Sequence, residues 1–136
     1  KDGKFNIEIT GEVDKGPDQY AGQVFRDHKG RNILISWIPG WKYSGYQDHD
    51  VGCMSVPREM SERNGKVYGY PVEELRHLLV ESDPALRRTE NGFTVEREGR
   101  EPLVYEGQID KLEMIRDKYI LEIFVNSGEE IYTVLL

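Results

Sequence analysis

The sequence of 136 residues predicts an all-β protein with one short helix, and three observations predict it. Apolar residues recur at every second position in several segments, the period of a strand with one or both faces buried. Turn sequences of hairpin chemistry separate those segments. One stretch, Pro71–Leu79, carries apolar residues at helical spacing instead. Short strands with a turn every ten residues or so fit a sandwich, a barrel or part of a propeller.

The elements follow in chain order. Phe5, Ile7 and Ile9 alternate with Asn6, Glu8 and Thr10 and read as a half-buried strand. Tyr20–Phe25 and Asn32–Trp37 are two strands joined by the turn Asp27-His28-Lys29-Gly30. In the second, Ile33, Ile35 and Trp37 oppose Leu34, Ser36 and Ile38, so the strand is apolar on both sides and central, with Trp37 in the core. Asn64-Gly65 and Asn91-Gly92 are further hairpin turns. Between Pro71 and Leu79, Val72, Leu75, Leu78 and Leu79 form one stripe. Pro71 suits a first helical turn, Glu73 and Glu74 its positive end, and Arg76 and His77 its negative end. Asp83-Pro84 stops the helix, which places a domain boundary near residue 80. Leu121, Ile123 and Val125 oppose Ile120, Glu122 and Phe124 in one late strand, and Ile131–Leu136 forms another across the turn Asn126-Ser127-Gly128-Glu129.

Charge and cysteine content narrow the function classes. A net charge of −7 without a basic cluster excludes a nucleic-acid backbone as the main partner. No apolar run reaches the ~20 residues of a membrane-spanning helix. The lone Cys53 cannot form an internal disulfide, which points to a reducing compartment, the cytoplasm. A first residue of Lys rather than Met leads us to expect sequence upstream, and the apolar ending Leu135-Leu136 reads as a closing strand.

One ordered set of motifs carries a resemblance. Tyr20-Ala21-Gly22-Gln23 precedes Gly30-Arg31 and Asn32-Ile33-Leu34-Ile35-Ser36-Trp37, followed by Trp41. Met54-Ser55-Val56-Pro57-Arg58-Glu59, Pro71-Val72-Glu73-Glu74-Leu75 and Leu121–Glu129 come after. The series resembles the C-terminal part of glycoside hydrolase family 32, which includes invertases, sucrose-6-phosphate hydrolases and fructanases. The resemblance implies the last blade of a five-bladed β-propeller within residues 1–80, one linking helix, and an abbreviated C-terminal β-sandwich in 81–136. It also implies a retaining β-fructofuranosidase as parent protein, a fructoside as substrate and no cofactor. By position, Tyr20 and Trp41 match the family's pocket Tyr and Trp. A phenol can hydrogen-bond a sugar hydroxyl and an indole can pack on a sugar ring. Each residue also has an ordinary packing role open to it, across strands for Tyr20 and between blades for Trp41. Gln23 shares the Tyr20 motif.

The family's nucleophilic Asp (Asn-Asp-Pro), its acid/base Glu (Glu-Cys) and its stabilising Asp (Arg-Asp-Pro) have no counterpart here. Arg26-Asp27 is followed by His28, and Cys53 is preceded by Gly52. The resemblance therefore implies a chain without catalytic residues, inactive alone. Asp48-His49-Asp50 with Cys53 reads as a polar loop rather than a metal site. Arg58-Glu59 reads as a strand-end ion pair or a sheet-to-sheet contact, and Glu73, Glu74 and Arg76 as a solvated helix face. A lone blade exposes edge strands, so self-association is expected. The alternative is a free-standing β module that binds a glycan or a protein without catalysis.

Overall fold

The computed structural model describes residues 3, 10–39 and 52–136, and its regular structure is almost all β. The strand expected at residues 5–9 and the polar loop at 48–50 lie outside the described residues.

Five strands form a first antiparallel sheet: β1 (Tyr20–Arg26), β2 (Asn32–Ile38), β3 (Cys53–Met54), β4 (Arg58–Arg63) and β5 (Lys66–Pro71). Their order is β1-β2-β4-β5, with β3 also paired to β2. Strand β2 is central, as its two apolar faces require, with Ile33, Leu34, Ser36 and Ile38 all buried. Trp37 is only half-buried. It was expected in the core; its side of the sheet is covered less fully than the Leu34–Ile38 side. The β4–β5 turn is Asn64-Gly65 with φ of 52° and 77°, the left-handed pair that a two-residue hairpin demands.

Pro71 ends β5, and Glu73–Leu78 forms a 3-10 helix. The stripe predicted a helix, but its tighter winding turns Leu78 to solvent and leaves none of its own residues buried. Leu79 and Val80 then run beside the sheet described next, through reciprocal Val80–Met114 backbone hydrogen bonds of 2.9 Å each.

Two three-stranded antiparallel sheets make up the rest of the described strands. The outer sheet has the order β6 (Leu86–Thr89), β7 (Gly92–Val95), β8 (Leu103–Glu106). The inner sheet has the order β11 (Glu130–Leu135), β10 (Ile120–Val125), β9 (Leu112–Asp117). Phe93, Val95 and Tyr105 of the outer sheet pack on Leu112, Met114, Leu121, Ile123, Val125, Tyr132 and Val134 of the inner one. The rings of Phe93 and Tyr105 stack at 5.0 Å, and Tyr132 meets both edge-on. The opposite face of the inner sheet packs on the first sheet. Ile120 and Leu135 meet Ile38 and Cys53, while Ile115, Phe124 and Ile131 meet Val56, Tyr70 and Leu79. Covered on both faces, β10 is buried at all six positions. Each such apolar side chain contributes roughly 1.5–3 kcal/mol.

On the first sheet's rim, Arg31 bridges Asp27 and Glu74, and Lys29 joins Glu74. Hydrogen bonds from Arg31 and then Lys29 hold the Glu74 carboxyl well below the usual carboxylate range. Desolvation pushes the Asp27 carboxyl up, but hydrogen bonds from Arg31 and the Lys29 backbone outweigh it and the net shift is downward. Both carboxyls bind protons less readily folded than unfolded. Their stabilisation is therefore present above an unfolded pKa of about 4 and is lost as pH falls through the folded values. Desolvated Asp18 is shifted upward and acts with the opposite sign. Comparing wild type with Glu74→Gln isolates the first effect: the fall in Tm between about pH 5 and pH 2 should be shallower in the variant. Parallel curves would remove Glu74 from the acid response.

Candidate functional site

The candidate site lies along β1, the outermost strand of the five-stranded sheet among the described residues. Its residues are exposed throughout, Tyr20 at 55%, Val24 at 60% and Phe25 at 49%. Tyr20 pairs with Trp37 of β2, and the register then shifts before Gln23 pairs with Ile35. The bulge is made by Ala21, whose φ of 49° is left-handed, and Gly22. A Cβ on Gly22 would meet Leu34 Cδ1 and Ser36 Oγ at 3.0 Å each, so the bulge sits tightly on β2. A left-handed alanine costs roughly 1–2 kcal/mol, and such strain concentrates where geometry serves function. The Gln23 amide donates to the Gly22 carbonyl at 3.1 Å. Trp41, the second expected pocket residue, lies outside the described residues.

The segment that feeds β1 is held on both sides. Asp14–Asp18 runs along the open edge of β11 as a strap. Lys15 N–H donates to the Ile131 carbonyl at 2.8 Å, and the Asp14 carboxylate accepts from Thr133 N–H at 2.9 Å. The Asp18 carboxylate accepts from Leu135 N–H at 2.8 Å and from Arg97 Nη2 at 2.7 Å. Side-chain oxygens thus replace the carbonyls of a missing neighbouring strand and satisfy an edge that would otherwise be left unpaired. Burial raises the Asp18 carboxyl pKa, against the Leu135 N–H and Arg97, which lower it.

Beside the strap lies a fully buried charge cluster. Arg58 opens β4 with none of its side chain exposed. It donates to Asp14 at 2.7 Å, to Thr133 Oγ1 at 2.6 Å and through Nη2 to Glu122 at 2.5 Å. Glu122 also accepts from Val56 N–H at 2.7 Å. Burial works against the Arg58 charge, but Glu122 and Asp14 outweigh it and raise the guanidinium pKa. Every charge here is paired and hydrogen-bonded inside a packed interface, which makes the cluster a lock between sheets and not an acid/base. Arg58 is the sheet-to-sheet contact expected of it. Glu59 lies 3.8 Å from Arg76, while Glu73 and Arg76 are exposed. Sequence reasoning missed Asp14, Asp18, Arg97 and Glu122. Glu122 carried a signal, because a carboxylate between Leu121 and Ile123 in an apolar strand calls for a buried cation.

Among the described residues no three His, Cys, Asp or Glu side chains converge as metal ligands, and no helix is long and apolar enough to cross a membrane.

The family model described as the glycosyl hydrolases family 32 N-terminal domain matches residues 1–71, more than half of the chain. The chain belongs to glycosyl hydrolase family 32. A sucrose-6-phosphate hydrolase of Staphylococcus xylosus is 32% identical over 123 residues, 89% of this chain and 22% of that protein. A sucrose-6-phosphate hydrolase of Escherichia coli is 38% identical over 80 residues, 57% of this chain and 17% of that protein. The chain thus spans about a fifth of the length of these curated relatives. Among solved structures, a sucrose-6-phosphate hydrolase from Lactobacillus gasseri superposes with a TM-score of 0.67 at 20% identity, over 91% of this chain and 37% of that one. A mutant Bombyx mori family 32 β-fructofuranosidase in complex with sucrose gives 0.69 at 18% identity, over 93% and 37%. These superpositions show that the chain shares the nearly all-β fold of family 32 structures, consistent with the propeller blade and sandwich portion that the resemblance implied.

Proposed function

We propose that this family 32 chain is the closing part of a longer cytoplasmic β-fructofuranosidase that cleaves sucrose, sucrose 6-phosphate or a related fructoside. Its division falls near residue 80, with the last blade and linker before it and the shortened sandwich after it. One observation carries the reading: the Tyr20–Gln23 segment, strained at Ala21 and exposed at Tyr20, stands at the rim of a sheet inside the region that matches the family. In a retaining fructosidase one carboxylate attacks the fructosyl carbon and a second protonates the leaving oxygen, the pair standing ~5 Å apart. Both are supplied by sequence upstream of this chain. Tyr20 and Trp41 contribute pocket wall. The Tyr20 hydroxyl hydrogen-bonds the sugar or a neighbouring carboxylate, and the Trp41 indole packs on the ring.

The test is steady-state kinetics of the longer polypeptide on sucrose and sucrose 6-phosphate. Tyr20→Phe and Trp41→Ala are each expected to lower kcat/KM by roughly tenfold or more. Values equal to wild type for both variants would remove these residues from the pocket. The isolated chain, separated from the neighbouring blades of the longer protein, is expected to self-associate. A strict monomer in sedimentation at high concentration would count against that part of the reading.

A further inference from the structure

We propose that Arg97 and Gln19 are positioning residues for Tyr20, so that the sandwich, through its grip on the Asp14–Asp18 strap, sets the geometry of the pocket edge. The inference rests on Tyr20 being pocket wall.

Tyr20 follows two anchored residues. Asp18, only 3% exposed, is tied to the sandwich by Leu135 N–H and by Arg97. Arg97 lies in the β7–β8 connection and reaches across the end of the inner sheet, where its Nε also donates to the Leu135 carbonyl at 3.1 Å. Arg97 and Asp18 therefore bracket the backbone of one residue at the end of β11, which fixes the strap along the strand direction. Gln19 is tied the other way: its side-chain amide donates to Ser36 Oγ in the centre of the blade. Ser36 in turn is paired with Ser55 through Ser55 N–H to the Ser36 carbonyl at 2.9 Å and Ser36 N–H to Ser55 Oγ at 3.1 Å. One anchor thus belongs to the sandwich and the next to the blade, and Tyr20 comes immediately after both. The bulge at Ala21 and Gly22 then fixes its far side. A left-handed alanine persists only where its surroundings over-determine it, and these two anchors are the surroundings on its N-terminal side.

A charge-assisted pair is short and geometrically specific, and this one fixes Asp18 two residues before Tyr20. Arg97 supplies it with a planar fork that touches both the Asp18 carboxylate and the Leu135 carbonyl, a geometry that an ammonium reproduces only in part.

The test uses the chain itself, labelled with nitrogen-15, as wild type, Arg97→Met, Arg97→Lys and Gln19→Leu. Arg97→Met is expected to shift the backbone amide resonances of residues 18–23 and to speed their hydrogen exchange roughly tenfold or more. The β10 amides should keep their protection. Arg97→Lys should restore part of the wild-type pattern. Gln19→Leu, which leaves the sandwich contact intact, should give the same local response and keeps the proposal testable if Arg97→Met does not fold. Unchanged resonances at Tyr20–Gln23 in both Arg97→Met and Gln19→Leu would overturn the proposal, as would uniform loss of protection through β10. The same substitutions in the longer polypeptide separate this inference from the functional reading. A local spectral response with an altered KM for sucrose supports both. A local response with unchanged kinetics keeps the strap and removes Tyr20 from the pocket.

Discussion

Replacing Arg58 with Met is expected to destabilise the chain by about 3–5 kcal/mol, the cost of leaving buried carboxylates without their cation. The guanidinium is wholly buried and is the shared partner of Asp14, Glu122 and Thr133, which come from the strap, β10 and β11. Methionine preserves much of the apolar stem but removes the guanidinium, whose Cζ lies 5.7 Å from the Phe124 ring centroid, and satisfies no acceptor. The expected effect is a large fall in the denaturant midpoint with little change in slope. Glu122→Gln alone keeps an acceptor for Val56 N–H and should cost less. The double variant should cost less than the sum of the singles, with a coupling of about 1–3 kcal/mol, because one uncompensated carboxylate has gone. Additive losses would show that the cluster is not one unit.

The second large effect is expected at Gly16. A Cβ there would stand 2.2 Å from both the nitrogen and the carbonyl oxygen of Thr133. Those are backbone atoms of a buried strand and cannot swing aside. Gly16→Ala must therefore lift the strap off β11, stretching the Lys15–Ile131 and Asp14–Thr133 hydrogen bonds before it and the Asp18–Thr133 bond after it. Overpacking of this kind costs about 1–3 kcal/mol, and Gly16→Val should cost more. Gly11 is the control, since a Cβ there meets nothing within 4 Å. Gly11→Ala should leave the Tm unchanged. Equal effects at the two glycines would show that the strap does not lie as closely on β11 as this geometry requires.

The sequence marked Arg58 as a contact but marked neither its partners nor Gly16, and the reason is physical. Period-two patterns announce strands whose side chains sort cleanly between faces. That made β2 legible, along with the β10–β11 hairpin and the turns at Asn64-Gly65 and Asn126–Glu129. It failed for β6, four residues long with Arg87, Arg88 and Thr89 all exposed, and for β8, where Val104 points to solvent. The stripe at Val72–Leu79 announced a helix, but its winding is 3-10 because Pro71 still belongs to β5 and Leu79 already leads to Val80, which pairs with β9. The strap was invisible for another reason. Asp14-Lys15-Gly16-Pro17-Asp18 has the composition of a surface loop, and only tertiary register shows two aspartates doing the work of strand carbonyls. Tyr20 was legible as a candidate through its motif alone. Nothing local in the sequence says that its backbone is anchored by Arg97, 79 residues away from Asp18.

The central claim is that this chain holds a pocket edge for reactive acids carried elsewhere in a longer polypeptide. Incubating the purified chain with sucrose and with sucrose 6-phosphate, and measuring released fructose, tests it most directly. The account predicts no release above an enzyme-free control. Fructose produced by the chain alone, at a rate that scales with its concentration, would contradict it.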